Sequence, residues 1–189
     1  VVLNPSARTP LSAYYLGQLA LDCGLPPNML NVVTGTGREV TELLVQHELV
    51  DMVTFTGSTA VGQHIAQTAG YKRLVLELGG SSALLILADA DIEEAVDITI
   101  AGLFKNSAQR CTAIRRLLVH ESLADRYADR LAERTAQLKW GDPYDPETDM
   151  GTVISEEAAK EIEQRVVDAI GRGAKLLVGH QRQGALYSP

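Results

Sequence analysis

The 189-residue sequence predicts an α/β fold in which short strands form a parallel sheet covered by helices on both faces. Three observations lead to this prediction. Short apolar, β-branched runs alternate with segments whose apolar residues recur at helical spacing. Gly and Pro residues lie between these segments and mark where each one ends. Helical connections between short apolar strands are typical of parallel sheets that are buried on both sides.

The first 78 residues are predicted to follow the order β-α-β-α-β-α-β. Thr9 and Pro10 indicate the start of the first helix, since Thr is a favourable N-cap and Pro suits the first helical position. Gly24 and the prolines after it indicate its end. The strands are predicted over 1–3, 30–34, 52–56 and 73–78, and the helices over 10–22, 38–47 and 58–69.

The rest of the chain continues the alternation. Strands are predicted over 82–87, 115–119 and 174–178, helices over 89–106, 123–138 and 155–170, and a loop over 141–146. The Gly79-Gly80 pair predicts a seam between two domains, 1–79 and 80–189. The chain begins inside an apolar run and ends after a Gly-rich stretch, with no helix or strand to close on. We therefore expect it to be a central piece of a longer polypeptide.

Composition narrows the classes of function. The chain has 17 basic and 24 acidic residues, a net charge of −7, which disfavours binding to nucleic acid or to an anionic membrane. No apolar run approaches the ~18 residues of a membrane span. Two cysteines, Cys23 and Cys111, are too few for a disulfide framework or a zinc site of the usual spacing. We expect a cytoplasmic protein that binds no metal.

The segment 56–62 follows a predicted strand and opens a helix. Free N–H groups at such a helix start can hold a phosphate, and Gly57 would allow the backbone to approach it. The alternative is that Ser58 is simply an N-cap. The spacing favours this alternative, because G-x-x-x-x-G matches neither a dinucleotide fingerprint nor a P-loop. Gly35 and Gly37 lie at the neighbouring strand end and leave the same choice open.

Two further residues are candidates for catalysis. Glu77 is flanked by apolar residues in a predicted strand, and burial of a carboxyl group there would suit a general base; the alternative is a side chain pointing to solvent. Cys111 lies in a polar loop beside Arg110 and near Lys105, which favours a reactive thiolate. Cys23, among leucines at a predicted helix end, is expected to be an inert apolar residue.

In order and content, these motifs resemble the aldehyde dehydrogenase superfamily. The resemblance rests on Val53–Thr59, Leu76–Gly80 and Gln109–Thr112, and extends to the strand-to-helix turn 3–13 and the connection 24–35. It implies a parallel Rossmann-like cofactor domain followed by part of an α/β catalytic domain. It further implies oxidation of a small-molecule aldehyde to a carboxylic acid through a thiohemiacetal and a thioester on Cys111, with Glu77 activating the hydrolytic water.

The resemblance also implies a dinucleotide cofactor, NAD or NADP. Asn4, Gly35, Gly57, Ser58 and Leu78 take the cofactor-binding positions, with the pyrophosphate near Gly57 and Ser58. The family usually has Lys where Asn4 stands. Where a Glu often favours NAD the chain has an alanine, so the choice of cofactor stays open. The full-length protein is expected to form a homo-oligomer. The family's second oxyanion donor lies upstream of this chain, so these residues alone are expected to be inactive.

The segment 106–116 is most similar to phosphonoacetaldehyde dehydrogenases and non-phosphorylating glyceraldehyde-3-phosphate dehydrogenases. Arg110 could therefore pair with a phosphorus oxyanion on the substrate, or it could have a structural role. Ala108 stands where the family usually has Gly. Two other classes stay open: a non-catalytic nucleotide-binding relative, and a thiol-redox protein that uses Cys111 alone.

Overall fold

The computed structural model describes all 189 residues apart from the side chain of Arg38. The chain divides into two compact units, Val1–Gly79 and Gly80–Pro189. Within the part of the chain described, no helix is both long enough and apolar enough to cross a membrane.

The first unit contains two parallel strand pairs joined by helices. Strand β1 (Val2–Leu3) pairs with β2 (Asn31–Val32), and β3 (Met52–Thr56) pairs with β4 (Arg73–Glu77). The helices are α1 (Leu11–Asp22), α2 (Glu42–Gln46), which follows a π-helical segment (Gly37–Thr41), and α3 (Thr59–Thr68). The predicted order of strands and helices in this unit is confirmed, as is the α/β fold class.

Alternate residues of β3 and β4 face the core of the first unit. Val45, Ile65 and Ala69 are buried there, and the inward residues Val53, Phe55, Leu74 and Leu76 pack against them. The opposite face of the pair is exposed at Met52 and Val75. Helices α2 and α3 therefore cover one face of this strand pair, while α1 packs through Gly17 against Val32 of β2.

Helix α1 differs from its prediction at the N-terminal end. Pro10 is the N-cap and the helix begins at Leu11, with no side-chain cap. Thr9 does not cap it and lies in a turn before the helix, where its N–H donates to the Ser6 carbonyl. No residue of α1 is buried, so its leucines and tyrosines lie at the surface of the described chain.

The second unit is built on one parallel strand pair with helices on one face. Strand β5 (Ser82–Ile86) pairs with β6 (Ile114–Val119). Helix α4 (Ile92–Leu103) lies between the two strands in the chain, and α5 (Ala124–Ala136) follows β6. Ile86, Ile92, Ala95, Val96 and Tyr127 form the core. Inside it, the Thr99 and Tyr127 hydroxyls are 2.5 Å apart. Burial raises the pKa of Tyr127.

The C-terminal part corrects two predictions. Helix α6 (Glu156–Gly171) forms as expected, capped by the Ser155 hydroxyl. The apolar run 174–178 forms no strand, because no described segment pairs with it. Instead, β7 (Arg182–Gln183) and β8 (Leu186–Tyr187) form an antiparallel hairpin where no closing element was expected. Gly184, at φ 60°, allows its two-residue turn.

Candidate active site

Cys111 lies on an irregular loop between α4 and β6 and is exposed. The predicted helix 89–106 ends early, at Leu103, and a short 3₁₀ segment (Lys105–Ala108) follows it. Asn106, Ser107 and Ala108 all have positive φ, at 55°, 51° and 59°. Sequence reasoning missed this left-handed turn. The one available signal is Asn106, because Asn tolerates the left-handed region better than most residues.

The left-handed turn is joined by side chains to the segment 151–154. The Ser107 hydroxyl donates to the Gly151 carbonyl at 2.9 Å. Gln109 Oε1 accepts from the Ile154 N–H at 2.7 Å. Residues in this backbone region need such outside contacts, since each costs of order 1–2 kcal/mol when it is not Gly.

Arg110 directs its guanidinium at the C-terminal end of α4. Its Nε donates to the Lys105 carbonyl at 3.2 Å, and its Nη2 donates to the carbonyls of Ala101 at 3.2 Å and Gly102 at 2.9 Å. Carbonyls at a helix C-terminus lack partners within the helix and attract positive charge. These contacts favour the structural role for Arg110 over substrate binding. The sequence could not show them, because they depend on how the chain turns back after α4.

Replacing Ala108 by Gly is expected to stabilise the protein. At φ 59° the Ala108 Cβ is strained, and Gly removes that strain while adding freedom to the unfolded chain. The net gain expected is about 0.5–1 kcal/mol in the free energy of unfolding. Chemical denaturation of the full-length protein measures it. The matched control is Ala136→Gly in α5, which should destabilise by a similar amount. A destabilised Ala108→Gly variant would contradict the prediction.

In the first unit, the turn from β3 into α3 has the geometry of a capped helix start. The Ser58 hydroxyl accepts from the Val61 N–H at 3.3 Å, so Ser58 is the N-cap. The Gly57 N–H donates to the Glu77 carbonyl at 3.0 Å. A Cβ at Gly57 would overlap the Phe55 ring, which explains the glycine. The capping interpretation is correct, and it leaves the N–H groups of Thr59 and Ala60 without a partner within the helix.

Two further predicted cofactor positions, Gly35 and Leu78, make packing contacts within the first unit. A Cβ at Gly35 would overlap the Val40 side chain, so Gly35 lets the loop lie against the π-helical segment. Leu78 packs against Gly62 of α3, where even a Cβ would overlap it. Both residues shape the ends of the strands beside α2 and α3.

Asn4 connects three segments of the first unit. Its Nδ2 donates to the Val33 carbonyl at 2.8 Å, and its Oδ1 accepts from the Thr41 hydroxyl at 2.9 Å. Both ends of the amide are therefore used within the chain. Sequence reasoning expected the Asn4 hydrogen bond to go to a cofactor, whereas here it joins the end of β1 to the loop after β2 and to the π-helical segment.

Glu77 is the last residue of β4 and is exposed within the described chain. The expected burial of its carboxyl group is absent, because the strand alternation points Leu76 inward and Glu77 outward. Cys23 is exposed as well, so its interpretation as an apolar core residue is wrong: it follows α1, which has no buried residue. Exposure therefore does not distinguish the two cysteines.

The structure thus brings five of the predicted residues into two groups. Gly57, Ser58 and Glu77 meet at one end of the β3–β4 pair in the first unit. Arg110 and Cys111 share the loop before β6 in the second unit. That Glu77 acts on Cys111 stays a prediction.

Residues 1–189 match the model of the aldehyde dehydrogenase family. The whole chain is 39% identical to 3-sulfolactaldehyde dehydrogenase of Priestia aryabhattai, over 40% of that protein. It is 38% identical to NADP-dependent glyceraldehyde-3-phosphate dehydrogenase of Streptococcus equinus, again over 40% of it. The chain therefore spans about two fifths of the length of these relatives.

Solved structures give the same result. A Methanocaldococcus jannaschii glyceraldehyde-3-phosphate dehydrogenase complexed with NADP superposes with a TM-score of 0.94 at 38% identity, covering all of this chain and 42% of that one. A Staphylococcus aureus betaine aldehyde dehydrogenase variant in complex with NAD⁺ superposes with a TM-score of 0.94 at 35% identity, and the match covers 100% of this chain and 39% of that one. The resemblance inferred from the motifs is confirmed, and the chain belongs to the aldehyde dehydrogenase family.

Proposed function

We propose that the full-length protein containing this chain oxidises an aldehyde to a carboxylic acid with NAD or NADP. Residues 1–79 form part of the cofactor domain and residues 80–189 part of the catalytic domain. The observation that carries the proposal is the exposed thiol of Cys111, on a loop fixed by hydrogen bonds, in a chain of this family. Cys111 is the nucleophile and Glu77 is the general base.

The N-terminal end of α3 fits the phosphates of a dinucleotide. The N–H groups of Thr59 and Ala60 have no acceptor within the helix, and the start of α3 is exposed. Such groups, together with the helix dipole, attract an anion. Gly57 and Ser58 shape this turn and Leu78 packs against Gly62 of α3. Asn4 and Gly35 hold the loop after β2 against the π-helical segment. When bound, the dinucleotide accepts the hydride released by the substrate carbon.

The chain's own residues account for the covalent steps. The Cys111 thiolate attacks the aldehyde carbon, and the resulting thiohemiacetal oxygen receives a hydrogen bond from the Cys111 backbone N–H. Loss of hydride leaves a thioester on Cys111. Glu77 then takes a proton from a water molecule, which attacks the thioester carbon and releases the acid and the thiol. Each step uses an exposed group, and the side chain of Glu77 has no hydrogen bond within the described residues.

We infer that the substrate is an aldehyde with an anionic group, such as a phosphono- or phospho-aldehyde. Support comes from the similarity of segment 106–116 to enzymes for such substrates. The relatives also include proteins named for 3-sulfolactaldehyde, glyceraldehyde-3-phosphate and succinate semialdehyde. Since Arg110 donates to the carbonyls at the end of α4, the cationic group that would bind the anion lies elsewhere in the full-length protein. A charge-assisted hydrogen bond from such a group contributes about 1.5–3 kcal/mol, so discrimination against neutral aldehydes should be roughly tenfold or more.

The full-length protein should therefore reduce its cofactor faster with phosphonoacetaldehyde or glyceraldehyde-3-phosphate than with acetaldehyde or benzaldehyde. Measured kcat/KM values test this, and equal values for the two classes would contradict it. Arg110→Leu is expected to lower kcat/KM equally for both classes, because the guanidinium supports the loop through three carbonyls. A loss confined to the anionic aldehydes would show instead that Arg110 binds the substrate.

A further inference from the structure

Gln109 lies two residues before Cys111 and connects its loop to a distant part of the second unit. Its Oε1 accepts from the Ile154 N–H at 2.7 Å. Its Nε2 also points at the carbonyls of Asn106 and Thr152, at the longer distances of 3.4 and 3.5 Å. The acceptor bond to Ile154 is therefore the strong one, since hydrogen bonds weaken toward 3.5 Å.

The segment that receives these bonds is itself well anchored. Val153 is buried, and its N–H donates to the Ala185 carbonyl of the hairpin turn at 3.0 Å. Met150 is also buried, and its carbonyl accepts from the Gly141 N–H at 3.1 Å. Directly after the segment, Ser155 caps α6. A side chain bonded to 151–154 is therefore bonded to a fixed part of the fold.

The loop that carries Cys111 needs such an anchor. Asn106, Ser107 and Ala108 all lie in the left-handed region, which is unfavourable for residues other than Gly. Strained backbone persists only where surrounding contacts determine it. Ser107, bonded to the Gly151 carbonyl, and Gln109, bonded to the Ile154 N–H, supply those contacts from the same segment.

We propose that Gln109, assisted by Ser107, is a positioning residue that holds the Cys111 loop against the segment 151–154. It acts through the backbone and takes no part in bond making. This inference rests on the proposed function of Cys111 as nucleophile. A displacement of about 1 Å at a reacting atom can cost up to roughly a hundredfold in rate, so a single side-chain bond at this place can govern turnover.

The test replaces Gln109 by Met in the full-length protein, which keeps the length of the side chain and removes the acceptor. We expect kcat to fall roughly 10- to 100-fold, with KM for the cofactor changed by no more than about twofold, since the proposed cofactor residues lie in the first unit. Ser107→Ala should lower kcat in the same direction. Gln109→Glu keeps an acceptor for the Ile154 N–H and should retain more of the wild-type kcat than Gln109→Met.

Amide hydrogen exchange provides a readout that requires no turnover. In Gln109→Met the Ile154 N–H loses its acceptor and should exchange roughly tenfold faster or more, while amides in α4 and α5 keep their rates. The matched control is Gln137→Met at the exposed C-cap of α5, where no side-chain hydrogen bond is present in the described structure. It should alter neither kcat nor exchange at Ile154.

Two results would overturn the proposal. One is an unchanged exchange rate at Ile154, and the other is faster exchange with an unchanged kcat. Failure of the proposed function would look different, because the wild-type protein would then reduce no cofactor with any aldehyde while the exchange result still reported on the Gln109 bond.

Discussion

Replacing Cys111 by Ala in the full-length protein is expected to abolish aldehyde oxidation, with kcat falling by roughly 10⁴-fold or more. Covalent catalysis by the thiol divides the oxidation into attack, hydride loss and hydrolysis, and alanine offers no atom for the first of these steps. The reduction of cofactor under saturating substrate measures the loss. Since Cys111 is exposed on a surface loop, the substitution leaves no cavity in the core, and the variant should fold as the wild type does.

The chain supplies a matched control in its other cysteine. Cys23 is also exposed, at the C-terminal end of α1, so Cys23→Ala changes the same chemical group at another surface. It should leave kcat within about twofold of the wild type, because it removes neither the nucleophile nor a buried contact. Cofactor binding should persist in both variants, because the proposed binding residues lie in the first unit. Activity retained in Cys111→Ala would exclude covalent catalysis at this residue.

Local pattern was enough to predict most of the fold. The alternation of apolar runs with helical periodicity placed β1 to β6 and α1 to α6 in the right order. Ser58 was also predictable as an N-cap, because a hydroxyl directly after a strand and before a helix has few other roles. These features depend on interactions within a few residues, which a sequence displays directly.

The predictions that failed depend on partners elsewhere in the chain. The run 174–178 has the composition of a strand, but a strand forms only where another pairs with it, and no described segment pairs with this run. Cys23 follows a helix whose leucines suggested a core, yet α1 has no buried residue. Sequence reasoning alone had no means of showing which apolar faces are covered.

The loop that carries Cys111 shows the same limit at the site itself. The sequence identified Cys111 as a candidate through its polar neighbours. It did not show that Arg110 turns back onto the carbonyls of α4 or that Gln109 reaches Ile154. Both contacts follow from the left-handed turn at 106–108, which reverses the chain after α4. In the sequence, only Asn106 indicates that turn, because Asn tolerates the left-handed region better than most residues.

Replacing Glu77 by Gln should separate the two halves of the reaction. Glutamine has nearly the same shape but cannot take a proton from water, so hydrolysis of the thioester should slow by roughly 10²–10⁴-fold. Hydride loss precedes hydrolysis and should be affected much less. Rapid mixing of the full-length variant with aldehyde and cofactor should therefore give a burst of about one equivalent of reduced cofactor per active site, followed by slow turnover.

The position of Glu77 explains why the substitution should be specific. Its backbone is fixed at the end of β4 by the Gly57 N–H, while its exposed side chain makes no hydrogen bond within the described residues and can reach water. Glu48→Gln is the matched control, because Glu48 is an exposed carboxylate of the same unit with no side-chain bond in the described structure. That control should show wild-type turnover without a burst. If Glu77→Gln keeps the wild-type steady-state rate, Glu77 is a strand-end residue facing solvent, and the base that activates the hydrolytic water lies elsewhere in the full-length protein.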